Sequence, residues 1–309
     1  MDFSGLLIKM LIFVVLMMTG YIVAKKGIAG PEFTKTASKL VINFFMAATI
    51  INSVLKISPD MVEMNFGIIF VVLTISMAAG FGLAALAGLC IPMVKKGGGV
   101  VQLLMGAPNT MFIALPVLDQ IFGPVAVFYC SLSAIPFNVI LYTYGVWLLK
   151  RGSEENKVHL KEVLTVPLIS TIVAALIFFI QPPIPRVVSE LCGSISGATM
   201  PMSMIVIGSS LGSVNLLDTF KNGKLYFISF FKLVFIPAVV WLVCSFITTD
   251  PVLLISAVIL AASPAAVMIS ILAIQYTGDG VFASEGILHG TVLSMIIIPL
   301  WVYLLSAVI

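Results

Sequence analysis

Long apolar segments alternate with short polar connectors along almost the entire chain. A helix needs about 20 predominantly apolar residues to cross the hydrocarbon core of a bilayer. The chain divides into ten such segments, numbered TM1 to TM10, which cover residues 5–24, 37–55, 65–94, 100–122, 124–149, 163–180, 189–214, 223–247, 251–276 and 281–308. The pattern predicts an all-α polytopic membrane protein with ten transmembrane helices.

Composition supports this prediction. Of 309 residues, 61% are hydrophobic and 9% are charged, whereas about a quarter of the residues of a soluble domain are charged. The short connectors leave no room for a large soluble domain. The four cysteines lie in separate apolar segments without the spacing of a metal or disulfide site, so no metal or cofactor is expected. The net charge of +3 comes from residues between the helices and indicates no nucleic-acid partner.

Basic residues predict the orientation, because Lys and Arg accumulate on cytoplasmic connectors. Taken alternately, the connectors of one side carry Lys9, Lys56 and Arg186 only. Those of the other side carry Lys25, Lys26, Lys35, Lys39, Lys95, Lys96, Lys150, Arg151, Lys157, Lys161, Lys221 and Lys224. We therefore expect a protein of the plasma (inner) membrane with both termini outside and the 151–162 connector in the cytoplasm.

Two predicted helices are interrupted by proline. TM4 carries Pro108 and Pro116 around Asn109 and Thr110, and TM9 carries a proline after Ser263. Proline lacks an N–H group and disfavours helical geometry at the preceding residue. Backbone groups freed in this way are tolerated at membrane depth only inside protein or at a cavity. A simple kink is the alternative, but Pro-Asn-Thr followed by a second proline favours a broken helix.

The two halves of the chain resemble each other. The proline of TM9 stands at a place comparable to that of TM4, and Pro136 in TM5 corresponds to Pro299 in TM10. We predict a first five-helix repeat over residues 1–150, the connector 151–162, and a second repeat over 163–309. Because five is an odd number, the repeats are inverted, and paired breaks in inverted halves indicate the binding site of a transporter.

One motif points to a known family. Gly106-Ala107-Pro108-Asn109-Thr110, continuing through Pro116 to Gly123, resembles the Pro-Asn-Thr crossover of the auxin efflux carrier family, which includes plant PIN-type carriers and bacterial permeases for small carboxylates. Weaker matches lie at Gly20-Tyr21 to Lys25-Lys26-Gly27, Met200-Pro201-Met202, Gly208 to Leu211, and Ser263-Pro264.

The resemblance implies ten helices in two inverted five-helix repeats, with broken crossover helices TM4 and TM9. It further implies a scaffold domain, a mobile transport domain, elevator-type alternating access and a homodimer. Two features depart from the family pattern. TM2 has no proline near its middle, and TM3 has no acid before the basic turn that follows it, so a coupling role based on such an acid cannot be transferred.

The breaks hold the expected substrate contacts. The Asn109 amide can donate to a carboxylate, although it could instead satisfy backbone groups freed by Pro108. Thr110, Ser263 and the backbone donors after Pro264 would complete an anion site built from dipoles. No Arg or Lys lies in either break. Asn43 in TM2 and Ser203 in TM7 are further candidates, because the resemblance implies that these two helices belong to the transport domain. Interhelical hydrogen bonding is the alternative role for both side chains.

Ionisable residues inside transmembrane segments are candidates for function. Glu285 and His289 are four residues apart on TM10, so they could touch and form a proton relay. Alternatively, Glu285 is a solvated residue of the first helical turn. We expect Lys232, two turns into TM8, to extend to the cytoplasmic headgroups, with a role in the pocket as the alternative.

We therefore predict a secondary active transporter, not an enzyme, that moves a small organic anion, in particular a carboxylate, across a lipid membrane. One alternative is a sodium- or proton-coupled uptake symporter of the bile-acid symporter type. The other is a transporter-like ligand sensor. The substrate, the direction of transport, the coupling ion (proton or sodium) and the oligomeric state do not follow from the sequence.

Overall fold

The computed structural model describes residues 3–56, 66–150, 166–212, 216–277 and 279–308. Within these ranges every regular element is a helix, and the only β-type pairing is one isolated bridge. The all-α prediction is therefore confirmed for the described chain. The predicted 151–162 connector lies outside the described residues.

The α-helices are α1 Phe3–Lys25, α2 Pro31–Leu40, α3 Met46–Leu55, α4 Phe66–Cys90, α5 Pro92–Lys96, α6 Gly98–Gly106, α7 Leu115–Phe122, α8 Pro124–Ile140, α9 Val146–Leu149, α10 Val166–Ile180, α11 Arg186–Gly197, α12 Thr199–Leu211, α13 Leu216–Lys221, α14 Gly223–Phe230, α15 Ile236–Ser245, α16 Pro251–Ala262, α17 Met268–Tyr276 and α18 Gly280–Val308. Four π-helical turns connect some of them: Val41–Phe45, Thr110–Ala114, Leu141–Gly145 and Phe231–Phe235.

Six described helical segments are long and apolar enough to cross a membrane: Glu32–Leu55, Phe66–Cys90, Pro124–Leu149, Arg186–Ser209, Gly223–Ser245 and Gly280–Ala307. Four shorter apolar helices accompany them: Leu11–Lys25, Thr110–Phe122, Val166–Ile180 and Pro251–Ala262. Large apolar side chains such as Leu89, Ile180 and Phe246 are exposed. Exposed apolar surface of this extent suits lipid rather than water, and the chain is a multi-pass membrane protein.

Prolines explain several departures from the predicted helix boundaries. TM3 ends at Cys90, and a new short helix starts at Pro92, a residue favoured at the first helical position. Two of the π-helical turns precede Pro116 and Pro237. A proline ring clashes with the carbonyl four residues earlier, and in both cases that carbonyl lies within the wider π-helical turn.

TM7 is divided at Ala198 into α11 and α12.

The structure groups the chain into two compact units. The first unit comprises Met1–Phe66, Met111–Ala134 and Thr165–Asn215; the second comprises Gly67–Thr110, Ile135–Leu164 and Leu216–Ile309. Each unit draws on both halves of the sequence, so the units are a different division from the predicted repeats, which stay a prediction.

Glycines bring two helix backbones into contact in the first unit. A Cβ atom added to Gly20 of α1 would lie 2.1 Å from the Ile205 carbonyl oxygen, and one added to Gly208 of α12 would lie 1.9 Å from that of Met17. Small residues allow such close approach between membrane helices. Nearby, the Thr49 and Thr199 hydroxyls are hydrogen-bonded at 2.7 Å.

A similar contact fixes α6 in the second unit. A Cβ atom added to Gly80 of α4 would lie 2.7 Å from the carbonyl oxygen of Gly106, the last residue of α6. In the same unit, the Trp301 indole donates to the Leu233 carbonyl at 2.8 Å. That carbonyl lies four residues before Pro237, so the indole satisfies an acceptor that proline cannot use.

Candidate functional site

The first helix break lies in TM4, at residues 107–109 between α6 and the π-helical turn Thr110–Ala114. Ala107 adopts an extended conformation, with φ −90° and ψ 110°. Its N–H still donates to the Leu103 carbonyl at 2.9 Å, which is the last bond of the α6 ladder. The Thr110 N–H donates to the Pro108 carbonyl at 3.1 Å. The prolines of TM4 therefore break the helix rather than only bending it.

The second helix break lies in TM9, at residues 263–267 between α16 and α17. Ser263 is extended, with φ −66° and ψ 140°, and its N–H donates to the Leu260 carbonyl. Its hydroxyl donates to the Ile259 carbonyl at 2.9 Å. The Ser263 side chain is thus used to satisfy the carboxyl end of α16.

The two breaks pair with each other inside the second unit. Pro108 and Ala265 form an antiparallel bridge. The Asn109 N–H donates to the Pro264 carbonyl at 2.7 Å, and the Ala266 N–H donates to the Ala107 carbonyl at 3.1 Å. Two extended segments thus satisfy part of each other's backbone where no helix can do so.

This pairing explains why proline is tolerated at position 108. The two hydrogen bonds flank the bridged residues, as in the non-hydrogen-bonded pairs of an antiparallel sheet. The pattern does not use the backbone nitrogen of Pro108 or of Ala265. Pro108 therefore loses no bond by lacking an N–H, and the Ala265 N–H remains outside the ladder.

Polar side chains of both breaks are buried. Asn109 is 4% exposed, Thr110 2% and Ser263 0%. Thr110 begins the apolar helix Thr110–Phe122, and α17 begins one residue after the second break. The N-terminus of α17, with its partial positive charge, therefore starts at the paired breaks.

Helix α18 has two glycines that lie beside α6 and the second break. A Cβ atom added to Gly286 would lie 2.6 Å from the Leu104 side chain, near the end of α6. One added to Gly290 would lie 3.5 Å from the Pro264 side chain and 3.8 Å from the Ser229 hydroxyl oxygen. Helix α18 thus lies beside α6 at Gly286 and beside the second break at Gly290, and Ser229 of α14 lies close to Gly290.

Comparison with known proteins places the chain in a family. A sequence profile described as a membrane transport protein matches residues 6–302. The chain belongs to this family. A relative from Methanothermobacter thermautotrophicus, described as an uncharacterized transporter, is 26% identical over 97% of this chain and 99% of its own length. The resemblance to the auxin efflux carrier family is confirmed, and the protein is a membrane transporter.

Asn43 and Ser203 belong to the first compact unit of the transporter, whereas the paired breaks belong to the second. Asn43 is exposed in the π-helical turn Val41–Phe45. Ser203 is fully buried on α12, and its hydroxyl has no hydrogen-bond partner among the described residues. Neither residue therefore shares a compact unit with the paired breaks, and a substrate contact by Asn43 or Ser203 stays a prediction.

Glu285 and His289 are not joined in the transporter. His289 is fully buried, and its Nδ1 is hydrogen-bonded to the Ser229 hydroxyl at 2.8 Å. Glu285 is partly exposed in the second turn of α18, and the described residues include no hydrogen bond or ion pair between it and His289. The predicted relay therefore has no direct link in this conformation, and Ser229 is the partner that sequence reasoning missed.

The expected position of Lys232 is wrong. Its side chain is 2% exposed, so it does not extend to the headgroups, and its Nζ has no hydrogen-bond partner in the described chain. The sequence signal that could have found it is Pro237, because the structure has a π-helical turn with Lys232 just before this proline, and such turns are frequent at functional sites.

Proposed function

We propose that this transporter is a secondary active carrier that moves a small organic anion, in particular a carboxylate, with the paired breaks as its binding site. The observation that carries the proposal is the buried antiparallel pairing of residues 107–109 with residues 264–266. Paired discontinuous helices with free helix ends are where secondary transporters bind substrate and ions.

The chemistry of the breaks favours an anion. The N-terminus of α17 starts there, and the ladder does not use the Ala265 N–H. The Asn109 side chain carries an amide that can donate to a carboxylate. Pro108, Thr110, Ser263 and Pro264 shape the backbone that presents these donors.

The helix pattern supports a ten-helix arrangement in two inverted five-helix repeats with crossover helices TM4 and TM9. The six long and four shorter apolar helices overlap, one each and in order, with the ten predicted segments. Both breaks lie in one compact unit, which supports an elevator-type mechanism with that unit as the carrier. A plasma-membrane location with both termini outside and a homodimeric state are further parts of the proposal.

An uptake assay tests the proposal. Purified protein in proteoliposomes is offered small monocarboxylates, dicarboxylates and indole acids, with and without a proton or sodium gradient. We expect saturable uptake of at least one acid, and Asn109→Ala should lower its efficiency about tenfold or more, because a buried hydrogen bond to a charged group is lost.

Asn52→Ala is the matched control. Asn52 is also buried, at 6% exposed, but it lies in the first unit. Uptake per folded molecule should stay unchanged in this variant. If Asn109→Ala leaves uptake unchanged, the binding site lies elsewhere in the protein. Binding without uptake would favour a ligand sensor, and strict dependence on a gradient would favour the coupled symporter.

A further inference from the structure

Lys232 places its amino group inside the second unit, without a hydrogen-bond partner among the described residues. It lies in the π-helical turn Phe231–Phe235 and is among the largest fully buried side chains of the described residues. An unpaired charge at such depth is costly and is found where it serves a pathway or a ligand.

Among the described residues, no acid of the surrounding helices forms an ion pair with Lys232. The turn packs against α6, α16 and α18 and is continuous with α14 and α15. The sequences of α6, α15 and α16 contain no charged residue, and α14 contains only the exposed Lys224. α18 contains Glu285 and His289, and no ion pair joins Glu285 to Lys232 within the described chain. Within the described chain, these helices therefore offer Lys232 no acidic partner.

A second basic side chain lies near the same helix. His289 is bonded through Nδ1 to Ser229, which precedes Lys232 by three residues and therefore occupies a neighbouring position on the helix surface. The His289 Nε2 is buried and has no hydrogen-bond partner among the described residues. The Phe220 and Tyr226 rings lie 5.0 Å and 4.4 Å from the imidazole, centroid to centroid. They hold the ring, but they leave Nε2 unsatisfied.

The elements that carry these basic groups pack against the elements that form the breaks. Gly290, next to His289 in the chain, faces both the Pro264 side chain and the Ser229 hydroxyl. Lys232 lies in the turn that packs against α6 and α16, the two helices that end at the breaks. The helix ends and the basic side chains therefore belong to one region of the second unit.

We propose that Lys232 and His289 complete the anion site, in which the Lys232 ammonium binds a carboxylate group of the transported anion and the neutral His289 imidazole adds a hydrogen-bond donor. With the proton on Nε2, His289 accepts from the Ser229 hydroxyl and donates to the same anion. This inference rests on the proposed function and deepens it, because it supplies the fixed cation that neither break contains.

The test compares acids with their uncharged amides. Uptake of acetate, succinate and indole-3-acetate, and competition by the corresponding amides, is measured for wild type, Lys232→Met, Lys232→Arg and Lys224→Met. We expect Lys232→Met to raise the KM for the transported acid at least tenfold and to lose the preference for acid over amide. Lys232→Arg keeps the charge and should keep the preference. Lys224→Met, which removes an exposed lysine of the same transmembrane helix, should behave as wild type.

A thermal shift separates binding from folding. Ligand-free Lys232→Met should melt at or above the wild-type temperature, because it removes an unpaired buried charge, and the acid should no longer stabilise it. If Lys232→Met fails to fold, Lys232→Gln gives the same comparison with a polar, uncharged side chain.

The outcomes distinguish the two proposals. An unchanged KM and an unchanged preference for acid over amide in Lys232→Met would overturn this inference, while loss of uptake in Asn109→Ala would leave the proposed function standing. Absence of saturable acid uptake by the wild type would contradict both.

Discussion

The two compact units satisfy their polar groups in different ways. In the first unit, glycines let α1 and α12 touch, and hydroxyl groups pair with one another, as Thr49 does with Thr199. In the second unit, helices are interrupted, and their ends pair as extended backbone. Among the described residues, the ionisable side-chain nitrogens that are buried without a partner, on Lys232 and His289, both lie in this second unit.

This difference indicates that polar groups inside the membrane serve stability in one unit and function in the other. Close helix packing with neutral side chains stabilises a unit. Breaks and unpaired basic groups destabilise a unit unless a ligand contacts them, so they indicate function. Substitutions in the first unit should therefore change stability alone, whereas substitutions in the second should also change the transport of anions.

The largest expected effect is that of Gly208→Ala in the first unit. The new Cβ atom would lie 1.9 Å from the Met17 carbonyl oxygen, so the two helix backbones must separate. We expect a loss of about 3 kcal/mol of stability, as for severe overpacking, measured as a lower melting temperature in detergent. Gly197→Ala is the control, since a Cβ atom there meets nothing within 4 Å. If correctly folded Gly208→Ala protein has a changed KM for the transported anion, the proposed difference between the two units is wrong.

Gly80→Ala should have the next largest effect, and it should affect transport as well. The new Cβ atom would lie 2.7 Å from the Gly106 carbonyl oxygen and would displace the end of α6 beside the first break. We expect about 1–3 kcal/mol of destabilisation together with a several-fold increase in the KM for the transported anion. Gly82→Ala, on an open face of the same helix, should change neither. Destabilisation with an unchanged KM would show that the position of α6 does not matter for binding.

Thr49→Val should have the smallest effect. It removes the 2.7 Å hydrogen bond to Thr199 in the first unit, and interhelical hydrogen bonds in membranes contribute about 0.6 kcal/mol on average. Chemical or thermal unfolding should detect a small loss of stability, while uptake kinetics stay unchanged. A change in substrate preference would instead place the first unit in the binding site.

Much of the fold followed from local features of the sequence. Hydropathy predicted the apolar helices, because the length and composition of a segment decide whether it can cross a bilayer. The prolines predicted the breaks in TM4 and TM9, because proline acts on its own backbone and on neighbouring residues. The Pro-Asn-Thr motif indicated the family, and the match over residues 6–302 confirmed it.

Tertiary structure decided which groups from distant parts of the sequence contact each other. Asn109 and Pro264 are far apart in the chain, and no local pattern predicts the hydrogen bond between them. Hydropathy likewise gave the depth of Lys232 along TM8, but not the side of the helix on which it lies, so its burial was not foreseen. His289 was expected to contact Glu285 on its own helix, and a neighbouring helix offered Ser229 instead. Sequence thus determined the helices and where they break, and packing between distant segments decided which polar groups meet and which are left for a ligand.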